Sequence, residues 1–263
     1  MSCTLILNAA EGHIQLVVGK NGDDGCLEFV CAQEWTAPGQ GTELLTPVLA
    51  DVFRHLHLRP AEIARIACVA GPGSFTGLRL VLTTAAAFRR ATGARVAGLN
   101  TLHALAASVP TVLLEQKSIV RVITHARRGL VHGQDFLCGN GLPEAIGAPA
   151  MWTLEQVLRE PRPHFVVGSG VKKNLALLQD TLPQGVRLFP ELFDQPTANA
   201  LLAMTRALPP DAWQERDLDP LYLRPCDAED NLSGIARKRG QDPDAVHADL
   251  DRLLGPITPG QIH

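Results

Sequence analysis

"AGPGSFTGLRLVLTTAAAF" occupies residues 70–88, where four turn-forming residues, Gly71, Pro72, Gly73 and Ser74, give way to an apolar run interrupted by Arg79. The run before it, 66–70, reads as a buried strand, so the stretch is strand, glycine loop, helix. That order often cradles a phosphate at the helix start. A Walker-type loop, however, needs GxxxxGK[ST]. Thr76 stands five positions after Gly71, Leu78 five after Gly73, and no lysine follows either. The dinucleotide fingerprint GxGxxG fails by one residue, because the third glycine is Gly77, and the next strand ends in Leu99-Asn100 with no acidic residue for a ribose. What remains is structural. Gly71, Pro72 and Gly73 make a tight turn, Ser74 caps a helix over 75–91, and Gly93 closes that helix.

Working outward, 4–9, 13–18 and 27–32 read as short strands rich in Ile, Val and Leu, separated by turns at Glu11-Gly12 and 19–25. A helix follows over 43–58, with Leu45, Leu49, Val52, Phe53 and Leu56 at helical spacing and Pro47 disturbing its first turn. Strands at 66–70 and 95–99 flank the glycine-loop helix. Three antiparallel strands followed by alternating helix and strand is the order of an RNase H-like mixed sheet. The pattern recurs in worn form: helix 101–108, strands 111–114, 119–124 and 129–137, a loop over 139–149, helix 153–158, strand 164–167, and helices 172–182 and 197–207. The reading is α/β in two lobes, 1–108 and 109–224, with the last helix of the second lobe free to pack back on the first. A helical extension fills 225–263, with short helices over 231–239 and 242–254. There Asp242 is the N-cap of a helix over 242–254, with Pro243 at its first position and Gly255 past its end.

At 263 residues the chain exceeds the roughly 100–200 residues of one domain. Charged residues are 19%, below the usual share of about 25%, so much surface is expected to be buried in the fold or against a partner. A net charge of −3 without a dense Lys/Arg run argues against tight binding of nucleic acid by the chain alone. The six cysteines form no CxxC pair and read as reduced thiols. No stretch approaches the roughly 18 apolar residues of a membrane span, and the expected location is the cytoplasm.

The residues nominate no catalytic group. None of the nine histidines has another four positions away, the spacing that places two metal ligands on one helix face. His55 and His57 read as surface histidines, and Ser74 lacks a GxSxG elbow. The lone Tyr222 and the tryptophans Trp35, Trp152 and Trp213 read as packing residues, with the tyrosine hydroxyl seeking a polar partner.

Gly71-Pro72-Gly73-Ser74-Phe75-Thr76-Gly77-Leu78-Arg79 resembles the signature of the bacterial TsaB (YeaZ) family. So do the opening strand at Leu5, the leucine-rich helix over 43–56, "LNTLHALA" from Leu99, "HARRG" from His125 and "PLYLR" over 220–224. The resemblance spans about 1–224 and leaves the extension without a role. It implies an actin-like (ASKHA) fold of two RNase H-like lobes. It also implies a part in the threonylcarbamoyl modification (t6A) of the adenosine beside the anticodon of tRNAs reading ANN codons. In that family TsaB is the non-catalytic relative and partner of TsaD, which holds the metal and transfers the group, and the ATPase TsaE joins the pair. The expectation is therefore no catalytic, cofactor or metal site, tRNA contact only within the complex, and a homodimer allowed through the same helices. Two departures stand out. Where the family carries Ile-Asp-Thr-Ser after strand one, this chain has Leu7-Asn8-Ala9-Ala10, and Asn8 lacks the charge that magnesium favours. His125 replaces the aspartate of an Asp-Ala-Arg motif, which opens the question of what Arg127 and Arg128 do. An autonomous actin-like ATPase or small-molecule kinase is the alternative reading, with a metallopeptidase third.

The expected partner face is the outer side of the glycine-loop helix and its neighbour: Leu45, Leu49, Ser74, Phe75, Thr76, Gly77, Arg79, Thr83, Ala86, Ala87 and Arg90. Leu78, Val81, Leu82, Ala85 and Phe88 should face the sheet. In the family these two helices pack against the matching pair of TsaD.

Overall fold

The computed structural model describes residues 2–22, 26–36, 39–114, 117–190, 192–223 and 232–254. Arg224, Cys226, Asn231 and Gly255 lie outside them. Strands β1 (Cys3–Asn8), β2 (His13–Asn21), β3 (Leu27–Thr36), β4 (Ile63–Gly71) and β5 (Arg95–Asn100) form one sheet in the order β3-β2-β1-β4-β5. The first three are antiparallel, and β4 and β5 join parallel to β1. Both faces are covered, which is why β1 and β2 are apolar almost throughout. Alternation sends Leu5, Leu7, Ile14, Leu16 and Val18 to one face, against helices α1 (Gly41–His55) and α2 (Phe75–Thr92). Ile6, Val17, Ala67 and Val69 go to the other, against α3 (Thr101–Ala107) and a later helix.

The second sheet repeats the first. Strands β6 (Ser118–Arg127), β7 (Leu130–Cys138), β8 (Glu144–Thr153), β9 (Phe165–Val167) and β10 (Arg187–Leu188) lie in the order β10-β9-β6-β7-β8, again three antiparallel strands followed by two parallel ones. Helix α3 is the hinge piece between the sheets. Ala104 faces the first core while Leu102 and Leu105 pack on Val120, Val122 and Phe136 of the second. A helix this short and this apolar on every side is stable only when buried all round. The outer face of the second sheet carries α4 (Leu154–Val157), α5 (Ser169–Lys173) and α6 (Leu175–Thr181) through Ile123, Val131, Val157, Val171 and Leu178.

The chain then returns to the first lobe. Helix α7 (Ala198–Ala207) places Leu201, Leu202 and Met204 on the first sheet. Gln214 bridges Val96, Asp217 meets Arg89 and Arg90, and the Leu221 amide donates to Ala70 O at 2.7 Å. Helices α8 (Leu232–Lys238) and α9 (Pro243–Leu254) form the extension, and the Asp244 amide donates to Asp242 Oδ1 at 3.1 Å.

Three expectations need correction. The 139–149 segment is not all loop, because β8 starts at Glu144. Its glycines and proline hid the strand, yet β8 is an edge, where a proline removes no shared ladder bond. The 111–114 segment is no strand: Thr111–Leu113 is a single 3₁₀ turn following Pro110. The 172–182 helix is two short pieces that meet at Asn174.

Candidate functional site

The glycine loop is filled by the protein itself. A Cβ on Gly77 would stand 1.7 Å from Ala9 O, one on Gly73 2.7 Å from Ala10 O, and one on Gly71, at φ 130°, 2.6 Å from Leu221 O. The start of α2 thus lies directly on the β1–β2 turn, an approach that side chains would block. The Ser74 amide donates to Ala10 O at 2.6 Å and so is spent on the turn. Ser74 Oγ accepts from the Gly77 amide at 3.4 Å as the N-cap, and Gly93, at φ 76°, ends the helix with its amide on Arg89 O. The loop aims a helix.

Helix α2 divides as its spacing predicts. Leu78, Val81, Leu82 and Ala85 are buried, and Phe88 meets Phe53 edge-on at 5.7 Å. Ser74, Phe75, Thr76, Arg79, Thr83, Ala87 and Arg90 are exposed, and Gly77 and Ala86 are half-buried. Leu45 and Leu49 do not belong on this face: both are buried in the core beneath α1, because they carry the apolar stripe that holds α1 to the sheet. Exposed α1 positions beside them are Thr42, Thr46, Pro47 and Ala50. At the N-terminal end of the α2 face, Tyr222 stacks on Phe75 at 5.4 Å, and the Arg79 guanidinium lies 4.1 Å over the Phe75 ring and donates to the Tyr222 hydroxyl at 3.1 Å. Both rings remain about 40% exposed, an amphipathic knob of the kind that anchors interfaces. Tyr222 lies far away in sequence, where it was noticed as the lone tyrosine and as part of the PLYLR segment, without any sign of its partners.

At the end of β1, Asn8 is fully buried. Its amide donates to Gln15 Oε1 at 2.6 Å and its oxygen accepts the Ala10 amide at 2.9 Å, so it shapes the β1–β2 turn. Gln15 reaches on to Glu34 and to Pro196 O. Sequence reasoning passed over Glu11. Its carboxylate accepts from Ser169 Oγ of the second lobe at 2.6 Å, and Ser169 Oγ in turn accepts the His125 amide at 2.9 Å. Burial between the lobes pushes the Glu11 carboxyl up to about 7, with Asp194 adding to the rise and Ser169 opposing it. His125 is held below the usual imidazole range by partial burial and by the nearby Lys173 ammonium. Among the described residues no group of three or more His, Cys, Asp or Glu is placed to hold a metal ion, and no helix is long and apolar enough to cross a membrane.

Two sheets of the same 3-2-1-4-5 order, joined through a shared buried helix, define an actin-like (ASKHA) protein of two RNase H-like lobes. The structure of YeaZ from Pseudomonas aeruginosa has the same fold, with a TM-score of 0.62 at 19% identity over 94% of this chain and 98% of that one. A protein described as similar to the peptidase YeaZ from P. aeruginosa reaches 0.66 at 21% identity over 85% and 100%. The family model of TsaD, tRNA N6-adenosine threonylcarbamoyltransferase, matches residues 37–163. The tRNA threonylcarbamoyladenosine biosynthesis protein TsaB of Bacillus subtilis is 26% identical over 192 residues, 70% of this chain and 79% of that one. An uncharacterized protein of Mycobacterium leprae is 30% identical over 152 residues, 57% of this chain, and the match spans only 40% of that longer protein. With the signature at 71–79, these matches support assigning the chain to the TsaB/YeaZ family.

Proposed function

We propose that the chain serves the biosynthesis of threonylcarbamoyladenosine in tRNA, in the cytoplasm, as the non-catalytic partner of a TsaD-type transferase, with TsaE joining the pair. The observation that carries this reading is the outer face of α2. Its centre, Thr83, Ala86 and Ala87, is small and weakly polar, where a helix left to water would carry long charged side chains. Arg90, at its far end, is held by Asp217, and the Phe75–Arg79–Tyr222 knob stands at the other. Small residues let a second helix approach to an axial distance of about 8–10 Å, and the knob supplies an anchor. The spent Ser74 amide and the buried, doubly bonded Asn8 speak for a scaffold rather than the alternative ATPase or kinase.

A bulky charge at the centre of a standard interface, of about 800 Å² per partner, costs several kcal/mol of binding. Thr83→Glu and Ala87→Arg, both at exposed positions, are expected to weaken TsaD association by about 100-fold or more while leaving Tm within a few degrees. Titration of each variant against TsaD, with a melting curve alongside, is the test. Unimpaired association would remove this face from the interface. The same titration without TsaD reads out self-association through the same helices.

A further inference from the structure

Helix α2 carries three arginines, Arg79, Arg89 and Arg90, and no acidic residue. Asp217 of the returning chain binds Arg89 at 2.8 Å and also Arg90, and among the described residues no other carboxylate forms an ion pair with any of the three. Arg79 is held by the Tyr222 hydroxyl and the Phe75 ring, neither of which is a carboxylate. Three positive charges thus meet one negative charge. A surplus of two remains on the outer face of α2, in a chain whose net charge is −3.

Helix geometry places that surplus. Arg79 and Arg90 are eleven residues apart, which is three turns and about 20°, so they leave the helix along one line at a separation of about 16 Å. Both are exposed, Arg90 over 66% of its side chain. Thr83 and Ala86 stand between them on the same line.

We propose that α2 selects an acidic partner: the helix that packs along this line carries carboxylates about 16 Å apart that meet Arg79 and Arg90. The proposal rests on the partner reading above and adds the chemistry by which the partner is chosen.

A second copy of the chain does not meet that requirement. Two α2 helices packed about a twofold axis midway between the arginines would set Arg79 of each copy against Arg90 of the other. Like charges so placed oppose pairing, and the same two points attract a carboxylate. An RNA backbone is also the poorer match. It presents a phosphate at every nucleotide, whereas the line offers no cation between its two ends. Small residues at the centre and an exposed aromatic pair at one end suit packed side chains instead.

The test is the rate at which the full chain associates with TsaD, followed by stopped-flow fluorescence at about 50 and 500 mM salt. The wild-type rate constant is expected to fall about tenfold or more between the two, since the higher concentration screens charges beyond about 4 Å. Arg90→Glu should lower the low-salt rate about tenfold and flatten its salt dependence, and Asp217→Asn, which removes the one compensating charge, should raise it about twofold or more. Melting curves establish that each variant is folded. Arg162→Glu, an exposed arginine of the second lobe, should leave the rate unchanged. A rate that salt does not change, or that either α2-face variant leaves unmoved or moves in the opposite sense, overturns the proposal, as does an equal loss with Arg162→Glu. If Thr83→Glu still blocks pairing in that case, the partner reading stands without it. A wild-type dimer at low salt that Thr83→Glu dissolves would give the face to a second copy. A tRNA affinity that Arg90→Glu weakens while the TsaD rate is unmoved would give it to RNA. Either result overturns the proposal. Failure of wild type to pair with TsaD at all overturns the partner reading and the proposal together.

Discussion

Gly77 shows how one missing side chain places a helix. It stands in the first turn of α2, where alanine would be the better helix former by about 1 kcal/mol. Propensity loses here to contact, since the Cβ would fall 1.7 Å from the Ala9 carbonyl oxygen. The obstacle is backbone, so no rotamer change relieves it, and α2 or the β1–β2 turn must move. Gly77→Ala is expected to cost about 2–3 kcal/mol, read as a fall in the denaturation midpoint, and Ala9→Gly should not rescue it. A variant as stable as wild type would show that the turn yields freely. Arg121 makes the opposite point, a charge made tolerable by complete pairing. It is buried, binds both oxygens of Asp135 at 2.7 Å, and gives its remaining donors to the carbonyls of Val157, Arg159 and Pro161. That pairing ties β6 and β7 to the loop after α4.

At the scale of elements, α1 keeps a proline where a helix would not choose one. Pro47 is exposed, beyond the first turn, and supplies no backbone donor. The stripe of Leu45, Val48, Leu49, Val52 and Phe53 on the sheet holds the helix in spite of it. Because packing rather than propensity supports α1, Pro47→Ala is expected to raise stability by about 1–3 kcal/mol, visible as a higher Tm. An unchanged or lower Tm would mean that the proline shapes the helix start in a way the core depends on. The same balance explains β8, whose Gly147 and Pro149 are strand breakers by composition. The strand forms because β7 offers it an open edge.

For the molecule as a whole, the burial of Glu11 against the second lobe makes stability depend on pH. The carboxyl is raised from 4.5 to about 7, so the folded state binds this proton more tightly than the unfolded chain does. Stability from this group is therefore present in full below pH 4.5 and is lost as pH rises through 7. With a discount for the side facing solvent, the loss is about 2 kcal/mol. Glu11→Gln, which stays neutral, should flatten the dependence of Tm on pH between about 5 and 8 and should be the more stable form at pH 8. Parallel pH profiles for the two proteins would show that Glu11 does not carry the coupling.

The sequence by itself determined what local chemistry and periodicity encode. The strand–loop–helix at 63–92, the inner face of α2, the Ser74 and Gly93 caps and the first three strands were all legible, because turn residues and apolar spacing act within a few positions. The 71–79 stretch carried the resemblance to the TsaB/YeaZ family in the same way. Tertiary structure alone decided which sides of the elements remain free. Leu45 and Leu49 looked like interface and are core, since α1 has one apolar stripe and the sheet claims it. Tyr222 reached Arg79 and Phe75 across more than a hundred residues. Glu11 became a bridge between lobes only when Ser169 was folded onto it, and Ser169 reached the His125 amide only because Gly168 and Gly170 let α5 lie on β6. Such pairings join segments that share no sequence period, and what sets them is the packing of two sheets about one buried helix.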